Sequence, residues 1–312
     1  MSEQGIQKEL KIASLVPEEK LTESLPPHWR LRFEKAIQLI HSDLSAPLNW
    51  QDIANQCHIS PKHFLHMFRV IFHETPGQYQ CRMRLKQAAY FLTTESDLTV
   101  KDIAARAGFS SSQALAKALK RELGVSASEL RDRRYDMDPK FANRIALLLG
   151  QPHQQAELPL ETSLAGELDF SISNHPERYF HTTPISINEP NSIEKVWSQI
   201  APDDTESQVL LSTWKDTEEL YENQKSQLGY PCAPDKATQA LPAGSFLECR
   251  LRYSDLSGYY SAWSAFHHYV QTNNLTLEEQ TPVLEVVHNP NTAERSVDIT
   301  LSVLLEFMPK TR

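Results

Sequence analysis

The 312-residue sequence predicts an all-α domain of two helix-turn-helix units, followed by an α+β domain with a two-fold repeated strand-helix-strand pattern. The first observation is an internal repeat, because Asp-Ile-Ala occurs at residues 52–54 and again at 102–104. The second is a change of period: apolar residues recur at helical spacing in the first half and alternate from about residue 158. The third is the distribution of charge between the two halves.

Charge is uneven along the chain, although the formal net charge is −9. Lysine, arginine, aspartate and glutamate give a balance of +6 over residues 28–135 and of −13 over residues 136–312. A basic half joined to an acidic half predicts that the first half meets nucleic acid and that the second has another role. Many protein surfaces are basic without binding DNA, so the charge balance alone does not establish DNA binding and sequence motifs are needed as well.

The N-terminal segment and the cysteines limit the class of protein. Residues 1–27, which end in Pro26-Pro27, are predicted to form a disordered tail. This segment lacks the apolar centre of a signal peptide, and no apolar run approaches the ~18 residues needed to cross a bilayer. We therefore expect a cytoplasmic protein. The four cysteines form no C-x-x-C pair and the histidines no H-E-x-x-H motif, so no metal or cofactor is predicted.

The repeated segment carries the start signals of a short helix in both copies. Asn49 and Thr99 are predicted N-caps, and Asp52 and Asp102 follow three residues later, where a carboxylate favours free backbone N–H groups. A turn and a second amphipathic helix follow each short helix, which is the order of a helix-turn-helix unit. The two predicted units cover about 49–72 and 99–123 of a domain that spans 28–135.

The turns and the connecting helix have their own signals. Gly108 suits the left-handed conformation that such a turn needs, and His58 holds this place in the first copy. A helix from about Pro76 to Leu92, roughly 25 Å long, connects the units. It could hold two recognition helices about 34 Å apart, so that one chain reads two adjacent major-groove segments. The alternative is an ordinary helical bundle with chance similarity between its halves.

Residues 28–134 resemble the DNA-binding domain of the AraC/XylS family of transcriptional regulators. The matching motifs are SPKHFLHMFR, TPGQY followed by RMRLKQAAYFL, and VKDIAARAGFSSSQALAKALKRELGVSASELR. The resemblance implies a sequence-specific DNA-binding regulator, an activator, with double-stranded DNA and RNA polymerase as partners. The sequence departs from the family at Leu119 and Leu130, where aromatic residues are usual, and at Ala127, where proline is usual.

The same resemblance places base-reading side chains early on the outer face of the second helix of each unit. Lys62 can donate to guanine O6 or N7, and Gln113 can bond adenine in two places. The residues implied as base contacts are Lys62, Leu65, His66, Ser112, Gln113, Ala116 and Lys117. The residues implied as phosphate contacts are Arg69, Lys120 and Arg82. For each charged residue the alternative is a solvated surface charge.

Residues 136–157 are predicted to link the domains, with a short helix at 139–149 followed by polar, proline-containing sequence. Residues 158–312 are predicted to form a sensor domain. The predicted strands are LDFSISN, SQVLLSTW, SFLECRLRY, PVLEVVH and SVDITLSVLLEF, and the predicted helices are SIEKVWSQI and GYYSAWSAFHHYVQTN. This order predicts two similar halves with the helices on one face of a sheet.

Residues 242–305 resemble a gyrase-inhibitor-like effector-binding domain, through an S-G-Y-Y helix start, a W-x-x-F-x-x-Y helix and the strand PVLEVV followed by NPNTAE. The order of the two domains resembles that of right-origin-binding regulators. The resemblance implies a groove with aromatic residues and a carboxylate, for a small aromatic or cationic effector or a protein partner. The carboxylate we predict is Glu285, a lone acid in an apolar strand; alternatively it faces water. The aromatic candidates are Trp214, Tyr230, Tyr253 and Trp263, each of which could instead belong to the core.

Catalysis is not predicted, because the sequence has neither a G-x-S-x-G motif nor a glycine-rich phosphate loop. A Cys249 nucleophile would need a base that the sequence does not locate. Two other functions stay open. One is a protein-interaction module that sequesters a target, with DNA binding secondary. The other is a small-molecule hydrolase domain fused to a DNA-binding domain.

Overall fold

The chain divides into a helical unit and a sheet unit. The computed structural model describes residues 10–46, 48–94, 98–132, 139–153, 158–185, 208–212, 226–278, 280–288 and 296–306. The helical unit is Val16–Ser163, and the sheet unit combines Met1–Leu15 with Leu164–Arg312. The helical unit therefore extends beyond the predicted range of 28–135 at both ends. None of the helices in the described residues is long and apolar enough to span a membrane.

The predicted helix pairs are present in the helical unit as α3–α4 and α6–α7, and α5 connects them. The helices are α1 Pro17–Glu23, α2 Pro27–Ser42, α3 Trp50–Gln56, α4 Pro61–Phe72, α5 Pro76–Thr94, α6 Val100–Arg106, α7 Ser112–Glu122, α8 Ala127–Asp132, α9 Pro139–Leu149 and α10 Leu160–Ala165. Helix α10 crosses the boundary between the units.

The start signals of the short helices are confirmed. The Asn49 side chain accepts from the backbone N–H of Gln51, and Thr99 and Asp102 form a reciprocal capping box. At the turns, Gly108 and His58 both have positive φ, 76° and 54°. The same backbone conformation therefore recurs in both units, with histidine in the place of glycine in the first.

Two hydrophobic cores meet different parts of α5. The first core includes Phe33, Ile53, Phe64, Phe68 and Phe72, together with Tyr79 and Met83 of α5. The second includes Ile103, Leu115, Leu119, Leu123 and Leu130, together with Leu85, Ala88 and Leu92 of α5. A single continuous helix thus contributes side chains to the cores of both helix-turn-helix units.

The predicted disordered tail is corrected where the structure describes it. Residues 13–14 form strand β1, and the backbone N–H of Leu15 donates to the carbonyl of Arg252 at 2.7 Å. Helix α1 follows, and its Glu18 carboxylate accepts a hydrogen bond of 2.6 Å from the buried hydroxyl of Tyr79 on α5. These partners lie far away in sequence, so the local sequence gives no sign of them.

The predicted linker is corrected in the same way. Helix α9 is present over the predicted residues, but its Phe141, Ile145 and Leu149 are buried in the second core. Gln151, which follows α9, is fully buried. This segment is therefore part of the helical unit and does not serve as a solvated connection over its described residues.

The described part of the sheet unit forms one mixed sheet of nine strands. The strands are β1 Ala13–Ser14, β2 Ser171–His175, β3 Arg178–Ile185, β4 Gln208–Ser212, β5 Ser226–Pro231, β6 Gln239–Leu241, β7 Gly244–Tyr253, β8 Val283–Val287 and β9 Val297–Leu304. Their order is β1-β7-β9-β8-β4-β5-β3-β6, with β2 also paired to β7. Strand β1 runs parallel to β7, and all other pairs are antiparallel.

The strands and the helix of one copy of the predicted repeat lie within the described residues. Strand β7 leads into helix α11, Leu256–Thr272, which is followed by β8 and β9. The helix predicted at 192–200 lies outside the described residues, so the two-fold pattern stays a prediction. Strand β2 begins at Ser171, later than predicted, and Ile172 is half exposed, so its side chain does not belong to the core.

Replacing Gly108 with alanine should destabilise the helical unit more than the same change at Gly124. Both glycines have positive φ, 76° and 70°, so alanine costs about 1–2 kcal/mol at either position. A Cβ on Gly108 would also overlap the carbonyl oxygen of Leu44, whereas a Cβ on Gly124 meets nothing within 4 Å. Urea unfolding followed by circular dichroism compares the two variants, and equal losses would contradict the steric contact.

Candidate nucleic-acid interface and effector site

Helix α4 has one buried face and one exposed polar face. Phe64, Phe68 and Phe72 are fully buried, whereas Lys62 and His66 are exposed and Leu65 is half buried. Pro61 occupies the first helical position after Ser60, whose side chain makes no capping hydrogen bond. The predicted base-contacting side chains of the first unit are therefore accessible within the helical unit.

Helix α7 repeats this arrangement in the second unit. Its buried face consists of Leu115, Ala118 and Leu119. The side chain of Ser111 accepts from the backbone N–H of Ala114 and so caps the helix. The predicted base-contacting residues are exposed at Gln113, Ala116 and Lys117 and half buried at Ser112.

The predicted phosphate contacts on these two helices are also accessible. Arg69 is exposed one position after the buried Phe68, and Lys120 is exposed one position after the buried Leu119. The Lys120 ammonium donates to the carbonyl of Gly124 at 3.1 Å, which holds it at the C-terminal end of α7. Equivalent cations thus occupy equivalent places on the two helices.

The prediction that Arg82 contacts phosphate is wrong, because its side chain is buried. Its guanidinium is buried and paired with the buried Glu74 carboxylate at 2.6 Å. It also donates to the Leu149 carbonyl at 3.1 Å and to the Gln151 side-chain oxygen at 2.5 Å. Burial disfavours the charged form, but the neighbouring Glu74 outweighs this and raises the pKa of Arg82. The guanidinium therefore belongs to the interior of the helical unit.

Two further arginines of the helical unit, Arg84 and Arg131, are half buried. Arg84 is partly buried, and this burial lowers the pKa of its guanidinium. Arg131 donates to the carbonyl of Leu98 and so ties α8 to the start of the second unit. Arg133 and Arg134 lie outside the described residues.

The second candidate site surrounds Glu285 on strand β8. The carboxylate is buried, with 5% of the residue exposed, and it accepts a hydrogen bond of 2.6 Å from the hydroxyl of Tyr259 on α11. Burial raises the pKa of Glu285 to about 7, although the Tyr259 hydrogen bond opposes the shift. The interpretation of Glu285 as a water-facing strand residue is therefore wrong.

Two of the four predicted aromatic residues lie beside Tyr259, the hydrogen-bond partner of this carboxylate. The Tyr259 ring centroid is 5.4 Å from that of Tyr253 and 6.3 Å from that of Trp263. Tyr253 is half buried and Trp263 is 7% exposed. Burial raises the pKa of Tyr253, and the nearby Glu285 adds to the shift. Tyr253, Tyr259 and Trp263 thus form an aromatic cluster in which the Tyr259 hydroxyl bonds the Glu285 carboxylate. Aromatic rings beside an acid are a chemistry suited to cations with flat rings.

Tyr230 is not part of this cluster. Tyr230 lies on β5, separated from β8 by β4, and its ring is 5.4 Å from that of His181. Trp214 lies outside the described residues. Sequence reasoning did not single out Tyr259, although it lies in the S-G-Y-Y start of the helix that carried the resemblance.

Cys249 does not have the environment of a nucleophile. It is fully buried in β7, and burial raises the pKa of its thiol to about 12. A thiol with this pKa stays protonated at neutral pH and is a poor nucleophile. Among the described residues, no group of three or more histidine, cysteine, aspartate or glutamate side chains is placed to hold a metal ion.

Two helix-turn-helix units joined by one helix define the class of this protein, and a family described as a helix-turn-helix domain matches residues 53–133. The regulatory protein SoxS of Salmonella typhimurium is 32% identical over 97 residues, which cover 31% of this chain and 90% of SoxS. The transcriptional activator AarP of Providencia stuartii is 36% identical over 109 residues, 33% of this chain and 80% of AarP. The chain belongs to the AraC/XylS-type family of helix-turn-helix transcriptional regulators.

The relatives named here each match about a third of this chain. The transcriptional regulator AlkR of Acinetobacter baylyi is 35% identical over 96 residues, which cover 31% of either chain. This chain thus spans about a third of the length of AlkR. The role of the sheet unit has to be argued from its own residues.

Proposed function

We propose that this protein is a sequence-specific DNA-binding transcriptional regulator that reads two adjacent major-groove segments with α4 and α7. The observation that carries the proposal is the matched surface of the two helices. Each has an apolar face in its own core and exposes lysine, histidine, glutamine or arginine side chains on the other. These side chains can donate to base edges and phosphates.

Replacing Lys62 and Gln113 with alanine should reduce discrimination between a selected operator and a scrambled duplex. Each side chain that contacts a base contributes roughly 1–3 kcal/mol of discrimination. Arg69→Ala should instead weaken binding to both duplexes and lower the steepness of the salt dependence by about one unit. Gel-shift titrations of the full chain over a range of salt concentrations measure both effects.

The exposed Lys236 of the sheet unit provides a charge-matched control. Lys236→Ala removes one positive charge and should leave affinity, discrimination and salt dependence unchanged. If the Lys62, Gln113 and Arg69 variants all bind like the parent protein, α4 and α7 are not the reading helices. If the parent protein prefers no duplex in a selection from random sequences, the regulatory function itself is refuted.

The sheet unit is the proposed sensor of this regulator. A buried acid whose pKa is raised to about 7, held by a tyrosine that lies beside two further aromatic rings, supports a site for a small aromatic or cationic effector. The resemblance to gyrase-inhibitor-like effector-binding domains supports the same role. An effector would alter transcription only if it bound two states of the protein with different affinity.

We further propose that the protein acts as an activator and contacts RNA polymerase when bound to DNA. The name of AarP as a transcriptional activator, together with its 36% identity to this chain, supports this direction of regulation. A reporter gene behind the selected operator distinguishes an activator from a repressor, because only an activator raises expression above the level seen without the protein.

A further inference from the structure

A buried polar network joins the end of α4 to the segment that follows the second helix-turn-helix unit. Gln151 lies at its centre: the side-chain nitrogen donates to the Phe72 carbonyl at 2.7 Å, and the side-chain oxygen accepts from Arg82 at 2.5 Å. Phe72 is the last residue of α4. The amide of Gln151 therefore satisfies a carbonyl that has no partner within the helix.

Arg82 and Glu74 extend this network to α5 and to the turn between α4 and α5. The Arg82 guanidinium bonds Glu74 at 2.6 Å and the carbonyl of Leu149, the last residue of α9, at 3.1 Å. The Gln151 nitrogen lies 3.3 Å from the same Glu74 carboxylate. The C-terminal ends of two helices, α4 and α9, are thus held by one arginine and one glutamine.

The opposite side of this segment is anchored in the second unit. Phe141, Ile145 and Leu149 of α9 are buried in the core that contains Leu115 and Leu119 of α7. The backbone N–H of Gln151 donates to the buried Glu161 carboxylate at 2.9 Å, which ties the end of α9 to α10. The described residues 139–153 and 158–163 therefore bridge the recognition helix of the first unit and the core of the second.

We infer that Arg82 and Gln151 are positioning residues for DNA recognition, which fix the orientation of α4 relative to the second helix-turn-helix unit and thereby set the spacing between the two DNA segments that are read. This inference rests on the proposed function. A continuous helix such as α5 can bend along its length, so its continuity alone does not fix the two reading surfaces. The bridge closes a second connection between the two units, and a closed arrangement resists bending and twisting of α5.

Binding to two half-sites at once is strong only when the geometry permits both contacts together. Gln151→Met keeps the length of the side chain and removes its hydrogen bonds. We expect this variant to lose about tenfold in affinity for a duplex with both half-sites, and nothing for a duplex with one half-site scrambled. Its preference for the selected spacing over a spacing changed by one base pair should also fall. Fluorescence anisotropy with the full chain measures all three duplexes.

Leu148→Ala provides the control, because Leu148 is a half-exposed residue of the preceding helix α9 whose side chain is outside the network. It should leave the three affinities and their ratios unchanged. A purely structural role of Gln151 would lower the affinity for one and two half-sites by the same factor, and that result would overturn the inference. Unchanged binding to all three duplexes would overturn it as well.

Arg82→Lys keeps the charge opposite Glu74, but a single ammonium nitrogen replaces the three guanidinium nitrogens that bond Glu74, Leu149 and Gln151. It should show the same selective loss, and it decides the question if Gln151→Met does not fold. If both variants fold and neither shows the selective loss, the positioning role is refuted. If the parent protein itself prefers no duplex, it is the proposed function that fails.

Discussion

Phe68→Ala should lower the free energy of unfolding of the helical unit by about 3–5 kcal/mol, because it opens a cavity in a fully buried core. The Phe68 ring centroid lies 4.4 Å from that of Phe72, 5.5 Å from that of Phe64 and 5.6 Å from that of Tyr79. Removing the ring takes away its contact with Tyr79 on α5. Hydrogen exchange measured by mass spectrometry, together with urea unfolding, reports the loss in peptides from both helices.

Val70→Ala is the control for this substitution. Val70 lies on the same helix and is 56% exposed, so its truncation should change the stability by no more than about 0.5 kcal/mol. Similar losses in the two variants would show that α4 does not pack through the face that carries Phe68. An unchanged exchange rate in α5 would show that the two helices are not joined through this ring.

The helix-turn-helix units could be predicted from the sequence because their determinants are local. Asn49 caps a helix through a neighbour two residues away, and Thr99 and Asp102 cap each other across three residues. The spacing of Phe64, Phe68 and Phe72 gives one helix face directly. Each of these signals lies within the helix that it specifies or at the start of that helix, so one sequence suffices to find it.

The role of Arg82 could not be predicted, because its partners are remote in sequence. Gln151 is 69 residues away and Leu149 is 67 residues away. On a basic amphipathic helix an arginine is expected to be solvated, and burial is favourable only where a carboxylate and further acceptors surround it. The same reason applies to β1, whose two residues bond to β7 more than 200 positions later and have no period of their own.

Glu285 illustrates how much of the candidate effector site a sequence pattern can predict. A lone acid in an apolar strand indicated an unusual environment, and the structure confirms that it is buried. Its partner Tyr259 comes from the preceding helix, and only the packing of α11 on β8 brings the two groups to 2.6 Å. The acid could be predicted because it is a charged residue among the apolar residues of one strand. The tyrosine could not, because it was one of several aromatic residues on one helix.

The stability of the sheet unit should fall as the pH rises from 4.5 to about 7, and Glu285→Gln should remove this dependence. The pKa of Glu285 is raised from 4.5 to about 7, so the folded state binds the proton more tightly than the unfolded state. The favourable contribution is complete below pH 4.5 and is lost by the time the pH exceeds 7. The shift corresponds to roughly 3 kcal/mol.

Hydrogen exchange in peptides from β8 and α11 measures this slope in the full chain. Glutamine keeps an oxygen that accepts from Tyr259 but does not titrate in this range. Glu306→Gln is the control, because Glu306 is an exposed acid of the same unit and its variant should keep the slope of the parent protein. A slope that survives in Glu285→Gln would assign the pH dependence to other groups.

The same titration should control the binding of a flat organic cation, for which N-methylquinolinium is a suitable fluorescent probe. A cation is attracted by the ionised Glu285 and by the ring faces of its aromatic neighbours. Its affinity should therefore rise about tenfold per pH unit below pH 7 and level off above it. In Glu285→Gln the affinity should be weaker and independent of pH. Equal pH dependence in both proteins would exclude Glu285 as the binding group, and absence of binding at every pH would exclude this class of effector.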